Sequence, residues 1–253
     1  MKGEKKKKDK GKGKEKGKLV SVILATYNEK ENLAKMIPII EDIFKKNRTP
    51  LEIVVVDDNS PDGTSNIARQ MNRKYHNVRL LWRPRKMGPG SAHADGYRFA
   101  RGDIVVGMDV DFSHNPNDIP RFIRKINQGY DVVENSRFIK GGGYEVKSFA
   151  TWQKSVISRL GNLLISFLSG VPIHDFTCSM RAIRKEVINN VDTESKGNSY
   201  FFEFLIKAHR KGYKIAEIPI AFKDRVVGKS KLKLGMQSLK ALKDVFKYAL
   251  FSK

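Results

Sequence analysis

Asp109 and Asp111 stand two residues apart at the end of an apolar run. Two further polar clusters occupy the same kind of place, Tyr27-Asn28-Glu29 after residues 19–25 and Asp57-Asp58 after residues 53–56. In extended backbone, carboxylates separated by one residue point the same way. Such a pair suits Mg²⁺ or Mn²⁺, which take one or two carboxylates and complete their shell with water and substrate phosphates. An isolated Asp-x-Asp is more often an N-cap or turn before a helix such as the one expected from Ile119. Three polar clusters, each directly following a different apolar run, favour the metal. Asp58 is placed to accept hydrogen bonds from a base or ribose, whereas Asp62-Gly63 reads as a turn. Gly88-Pro89-Gly90 lacks the Gly-Lys-Ser/Thr of a P-loop and the spacing of a dinucleotide fingerprint. His93, His114 and His174 show no metal-ligand spacing and read as structural.

The elements that must position these residues follow from the apolar pattern. Runs at 19–25, 53–56, 78–81, 104–108 and 131–135 lack inside–outside alternation, and helical patterns separate them, among them 91–100 and 119–127. Unalternating strands between helices imply an α/β fold with a mainly parallel sheet covered on both faces. Ligands of such sheets bind beyond the carboxyl ends of the strands, so the three polar clusters should meet at one edge. After Gly141-Gly142-Gly143 the pattern changes to an amphipathic stretch at 152–169, a helix at 200–211, a strand at 214–220 and a last amphipathic helix at 236–251. No internal repeat of fixed period is present.

The 253 residues suffice for one large domain with appendages. Cys178 is the sole cysteine, which excludes an internal disulfide and a multi-cysteine metal site and suits a reducing compartment. The net charge is +22, of which residues 1–18, with ten lysines against Glu4, Asp9 and Glu15, supply +7. That tail has no large apolar residue after Met1, so it is expected to be disordered, and it lacks the apolar core of an export signal. No stretch reaches the roughly 18–20 apolar residues that span a bilayer, the nearest being 160–173. Anionic lipid or phosphorylated substrates would satisfy the positive charge. Nucleic acid is disfavoured, because strand-end aspartates repel a phosphate backbone and no recognition motif is present.

The motifs themselves are distinctive. Ala25-Thr26-Tyr27-Asn28-Glu29, Val56-Asp57-Asp58-Asn59-Ser60-Pro61-Asp62-Gly63-Thr64, Lys86-Met87-Gly88-Pro89-Gly90-Ser91-Ala92 and Asp109-Val110-Asp111-Phe112-Ser113-His114 resemble the family 2 glycosyltransferases. Ser136-Arg137-Phe138-Ile139-Lys140, Asp175-Phe176-Thr177-Cys178-Ser179-Met180-Arg181 and the run from Asp224 to Leu232 narrow the resemblance to the dolichol-phosphate mannose synthases, in the same order over about 19–251. The chain departs from that pattern at Ala25 (usually proline), Pro89 (leucine), His93 (tyrosine), Asn135 (often glycine) and Cys178-Ser179-Met180 (a glycine-plus-phenylalanine pattern).

The resemblance implies a Rossmann-like GT-A fold over 19–235, with 236–253 as an amphipathic helix of the same domain or facing a membrane. It implies GDP-mannose as donor, dolichyl (polyprenyl) phosphate as acceptor, and inverting transfer that supplies mannose for glycan or protein mannosylation. It places Ala25, Tyr27, Glu29, Val56, Asp58, Asp109, Val110 and Asp111 around the nucleotide sugar, with Arg225 and Lys231 closing over the diphosphate from a loop flanked by Gly228. Mg²⁺ or Mn²⁺ would sit at Asp109 and Asp111, with Ser113 at a third metal-facing position. Asp111 and Arg137 are the expected catalytic residues. Arg137, Lys154 and Ser158 are assigned to the acceptor phosphate, since Lys154 and Ser158 share a helix face near a helix start. An anionic acceptor phosphate needs no strong general base, and the sequence offers no obvious one. Apolar stripes (Val156, Ile157, Leu160, Leu163, Leu164, Phe167 and Leu168, then Leu239, Leu242, Phe246, Ala249 and Leu250) mark two helices for a membrane surface. A peripheral protein on the cytoplasmic side, with room for a membrane-anchoring subunit, is the expectation. Glucosyl or other polyprenyl-phosphate transferases and family 2 enzymes with a sugar acceptor are the rivals.

Overall fold

The computed structural model describes residues 17–144, 149–222 and 236–251. The lysine-rich residues 1–16 and the loop carrying Arg225, Gly228 and Lys231 lie outside the described residues, as do the side chains of Lys154, Leu239 and Leu242. Seven strands form one sheet: β1 (Val20–Thr26), β2 (Leu51–Asp57), β3 (Val78–Trp82), β4 (Ile104–Asp109), β5 (Val132–Ser136), β7 (Arg181–Arg184) and β8 (Ile215–Pro219). Their order is β3-β2-β1-β4-β7-β5-β8. A second, two-stranded sheet pairs β6 (Gly143–Tyr144) with β9 (Ala221–Phe222).

Both faces of the main sheet are buried, which explains the unbroken apolar runs. On one face Val22, Leu24, Ile53, Val55 and Val106 pack against α1 (Lys30–Lys46) through Leu33, Met36, Ile37 and Ile40, and against α4 (Ile119–Asn127) through Phe122 and Ile126. On the other, Ile23, Val54, Val56 and Val105 meet α3 (Pro89–Phe99) and α7 (Ser199–Arg210). Residues 199–208 of α7 are buried throughout, and α8 (Met236–Phe251) seals it through Val245, Tyr248 and Ala249. α2 (Thr64–Tyr75) and α6 (Lys185–Asn190) complete the shell with α5 (Phe149–Ser169).

The register carries the functional consequence. Ala25 lies opposite both Val56 and Asp109, and Thr26 opposite Asp57. The carboxyl ends of β1, β2 and β4 therefore finish level, and the three polar clusters meet at one edge as the pattern requires.

Two sequence expectations need correction, and one strand was not foreseen. The sheet is mainly parallel, as expected, and β7 runs antiparallel between β4 and β5. It escaped sequence reading because it is only four residues long and has an arginine at each end. The extended geometry assumed for Asp109 and Asp111 also stops early, since β4 ends at Asp109 and residues 110–114 bend, with Phe112 at φ 60°. Finally, α5 begins at Phe149 rather than near Trp152. Lys154 and Ser158 thus lie beyond the first turn, where backbone N–H groups are already used within the helix.

Candidate active site at the β1, β2 and β4 ends

The edge is built first from hydrogen bonds that tie loops to one another. Asp57, fully buried, accepts from Thr26 Oγ1 (3.2 Å), Ser60 N (3.2 Å), Ser60 Oγ (2.5 Å) and Ser65 Oγ (2.5 Å), so it holds the turn rather than a ligand. Asp62 accepts from Lys30 N and Thr64 N, both at 3.0 Å, and from Thr64 Oγ1 at 2.6 Å. Burial pushes its carboxyl up, but these bonds outweigh it and hold the pKa below the usual value. Asn28 N donates to Ser60 Oγ (2.9 Å) and Glu29 N to Thr64 Oγ1 (3.1 Å), clamping the loop after β1 onto the loop after β2. This fixes Tyr27, whose ring lies 4.4 Å from Lys86 Nζ, and Glu29, whose Oε2 accepts from Asn32 Nδ2 at 2.7 Å.

Asp58 is more committed than its sequence suggests. Arg83 Nε donates to its Oδ1 (2.6 Å), Arg83 Nη2 contacts the same oxygen, and Met87 N donates to Oδ2 (3.0 Å). Arg83 is buried and also reaches Ser91 Oγ (2.7 Å) and Asp95 Oδ2 (3.0 Å). Sequence reading missed it, because one arginine in a basic Arg-Pro-Arg-Lys run carries no signal of burial. Gly88 and Gly90 permit close backbone approach: a Cβ on them would meet Lys196 O at 2.7 Å and Gly197 O at 2.2 Å. Ser91 N donates to Lys196 O (2.9 Å), so the start of α3 is tied to that loop.

Asp109 and Asp111 occupy the centre. Asp109 Oδ2 accepts from Ser179 Oγ at 2.7 Å, and its Oδ1 lies 3.7 Å from His93 Nε2. Burial pushes this carboxyl up, but the nearby His93 and His114 imidazoles and the Ser179 hydroxyl outweigh it and hold it well below the usual carboxylate range. Asp111 is buried and accepts from Ser113 N at 3.1 Å, which closes the bend. The Val110 side chain is buried in the core, so only its backbone can face a ligand. Val56 is likewise a core side chain, and its carbonyl lies 3.1 Å from Thr26 Oγ1, whose one hydrogen it shares with Asp57. His93 is wedged edge-on against Tyr97 and Phe201, with ring centroids at 5.6 and 5.3 Å, and so serves packing as well as the carboxylate.

Among the described residues no group of three or more His, Cys, Asp or Glu side chains could hold a metal ion by itself. The donors expected of the protein are the Asp109 and Asp111 carboxylates and the Ser113 hydroxyl. That set fits a Mg²⁺ or Mn²⁺ shared with substrate phosphates, not an all-protein cage.

A second wall faces this centre. Arg137 forms a bidentate pair with buried Asp175 (Nε to Oδ2 2.7 Å, Nη2 to Oδ1 2.8 Å) and donates to Thr177 Oγ1 at 2.7 Å. Asn162, buried on the inner side of α5, accepts from Phe176 N (2.7 Å) and reaches Thr177 Oγ1 at 3.5 Å. Ser158 lies 3.4 Å from Asn162 Nδ2 and is hydrogen-bonded to Tyr144, whose ring lies 4.9 Å from the Arg137 guanidinium carbon. Arg137 and Ser158 are therefore brought together, through Asp175, Asn162, Thr177 and Tyr144, none of which the sequence singled out individually. The outer side of α5 exposes Ile157, Leu160, Leu163 and Phe167, the last 84% accessible, with Phe246 and Leu250 of α8 also exposed. No described helix is long and apolar enough to cross a membrane.

Known proteins share this fold. The solved structures most like it include the glucosyl-3-phosphoglycerate synthase of Mycobacterium tuberculosis. In its complex with Mn²⁺, UDP and phosphoglyceric acid it superposes with TM-score 0.70 at 18% identity, over 94% of this chain and 80% of that one. Its complex with Mg²⁺ and UDP gives TM-score 0.68 over 92% and 80%. At that identity the likeness establishes the GT-A-like fold alone. A polyprenol monophosphomannose synthase of Mycolicibacterium smegmatis is 35% identical over 218 residues, 83% of this chain and 80% of the relative. A dolichol-phosphate mannosyltransferase of Pyrococcus furiosus is 37% identical over 217 residues, 85% of this chain and 59% of that longer relative. The family model for glycosyl transferase family 2 matches residues 21–192, a span that contains the Asp109 centre and the Arg137 wall. The chain is thus a glycosyltransferase and belongs to glycosyl transferase family 2.

Proposed function

We propose that the chain transfers mannose from GDP-mannose to a polyprenyl (dolichyl) phosphate, with inversion, at a membrane surface. The carrying observation is the similarity to two mannosyl-transferring polyprenol enzymes over more than four-fifths of the chain. The site supports it. Tyr27, Glu29 and Asp58 line the ends of β1 and β2, where base and ribose would lie, with Ala25 and Val56 contributing backbone. Asp109 and Asp111 would hold Mg²⁺ or Mn²⁺, which supplies charge neutralisation of the departing diphosphate. Arg225 and Lys231 are assigned to the same diphosphate. Arg137, oriented by Asp175, and Ser158 would receive the acceptor phosphate together with Lys154. An oxygen of that phosphate attacks the anomeric carbon as the bond to the GDP oxygen breaks. No proton need be removed, so positioning and electrostatics carry the rate.

The exposed apolar side of α5 adjoins this acceptor wall, as a lipid-linked acceptor requires, and the basic surface suits anionic headgroups. A peripheral location on the cytoplasmic face, with or without an anchoring subunit, follows from this reading.

The test offers GDP-mannose, GDP-glucose and UDP-glucose with polyprenyl phosphate and Mg²⁺ or Mn²⁺. Labelled lipid should form from GDP-mannose, and Asp109→Asn and Asp111→Asn should abolish it while leaving the fold intact. Preference for a glucose donor would replace the mannose reading. Wild-type rates in excess chelator would remove the metal.

A further inference from the structure

Ser179 has no part in the assignments above, yet it touches the central carboxylate. The antiparallel strand β7 delivers it. Arg181 pairs with Gly107 of β4, and two residues further along each strand bring Ser179 beside Asp109. Ser179 is buried, its hydroxyl donates to Asp109 Oδ2 at 2.7 Å, and His114 Nε2 lies 3.2 Å from Ser179 Oγ. A serine hydroxyl has one hydrogen. Because that hydrogen is given to Asp109, the contact with His114 must run the other way, with Nε2–H donating to Ser179. The tautomer of His114 is thereby fixed. The chain of donors has one direction, His114 to Ser179 to Asp109. It bonds one carboxylate oxygen, while His93 stands 3.7 Å from the other. Rotation of the Asp109 carboxylate would break this chain. Ser179 and His93 are also two of the positions where the chain departs from the pattern it otherwise resembles.

We propose that Ser179 is a positioning residue that holds the Asp109 carboxylate in the orientation required for a divalent cation bound with the nucleotide diphosphate. This rests on the metal role assigned to Asp109 above. Hydrogen-bond partners of metal-ligating groups commonly set affinity by about ten- to a hundredfold, because a ligand free to rotate must be ordered on binding.

The experiment measures Mn²⁺ binding to the full chain in the presence of GDP, by electron paramagnetic resonance of free Mn²⁺. Ser179→Ala should weaken binding by about ten- to a hundredfold, with thermal stability of the metal-free protein little changed. Ser179→Thr, which keeps the hydroxyl, should bind like the wild type. In an Asp109→Asn background, adding Ser179→Ala should have no further effect. Wild-type Mn²⁺ affinity in Ser179→Ala, alongside lost affinity in Asp109→Asn, would overturn the role of Ser179 and leave the metal site standing. A Ser179→Ala loss that persists undiminished in the Asp109→Asn background would overturn it too. Unchanged affinity in Asp109→Asn alone would instead remove the metal reading on which the inference rests. Thr and Val, nearly equal in shape, repeat the comparison at position 179 if alanine loosens the fold.

Discussion

At the scale of single residues, the charged side chains of the candidate site are held by partners far away in sequence. Asp58 and Arg83 are 25 residues apart in sequence, and Arg137 and Asp175 are 38 apart. Only the sheet order brings such pairs together, and no local spacing records it. The Arg137–Asp175 pair bears on the mechanism proposed above. Its planar fork is matched to a carboxylate on one side, which leaves the guanidinium oriented before any phosphate arrives. Lysine cannot reproduce that fork. Arg137→Lys should therefore slow transfer and raise the polyprenyl phosphate requirement, by about 1.5–3 kcal/mol in kcat/KM for a lost charge-assisted contact. Donor binding measured by calorimetry should change less. Asp175→Asn should act in the same direction, through lost orientation alone. Wild-type acceptor kinetics in Arg137→Lys would mean that a point charge suffices and the fork is irrelevant.

At the scale of elements, helices and parallel strands were readable, while the antiparallel β7 was hidden by its arginines. The physical reason is a buried ion pair. Arg181 lies directly opposite Glu134 in the β5–β7 ladder, both side chains are fully buried, and the Nη2–Oε2 distance is 2.9 Å. Arg181 also donates to Phe201 O (3.2 Å) and Cys178 O (3.1 Å), and its guanidinium carbon lies 5.2 Å from the Phe201 ring centroid. Burial pushes the Glu134 carboxyl well above its ordinary pKa and Arg181 opposes that, so the glutamate depends on its partner. Removing one member of a buried pair costs about 3–5 kcal/mol, because the other charge is left without compensation. Arg181→Met should lower the unfolding free energy by that amount in urea titrations. The double variant Arg181→Met, Glu134→Leu should lose less. It should not recover fully, because Phe201 O and Cys178 O still lack their donor. Equal losses in the single and double variants would show that the carbonyl contacts, not the ion pair, hold β7 between its neighbours.

At the scale of the whole molecule, an amphipathic pattern alone could not say which apolar side chains face inward. The structure divides the broad stripe of α5. Leu168 packs against the core beside Ile165, which the stripe did not include, and Ile157, Leu160, Leu163 and Phe167 remain outside. The exposed set lies on the same helix as Asn162 and Ser158, so a bilayer touching it would be adjacent to the acceptor wall. Two forces would then act on the molecule. The apolar side chains contribute up to about 1.5–3 kcal/mol each if fully withdrawn from water, independent of lipid charge. The excess lysines contribute about 1 kcal/mol each near an anionic surface, and salt screens them. These contributions separate experimentally. Phe167→Ser with Leu160→Ser should reduce binding to neutral and anionic vesicles alike, with little loss of stability because both side chains are exposed. A chain starting at Lys18 should lose affinity for anionic vesicles only, and the difference from the full chain should vanish at high salt. Turnover in detergent should be kept by the truncated chain, since the tail is assigned no contact with the site. Vesicle binding that survives the double serine substitution would place the membrane contact elsewhere. Salt-insensitive binding of the full chain would leave its +22 charge without a role at the lipid surface.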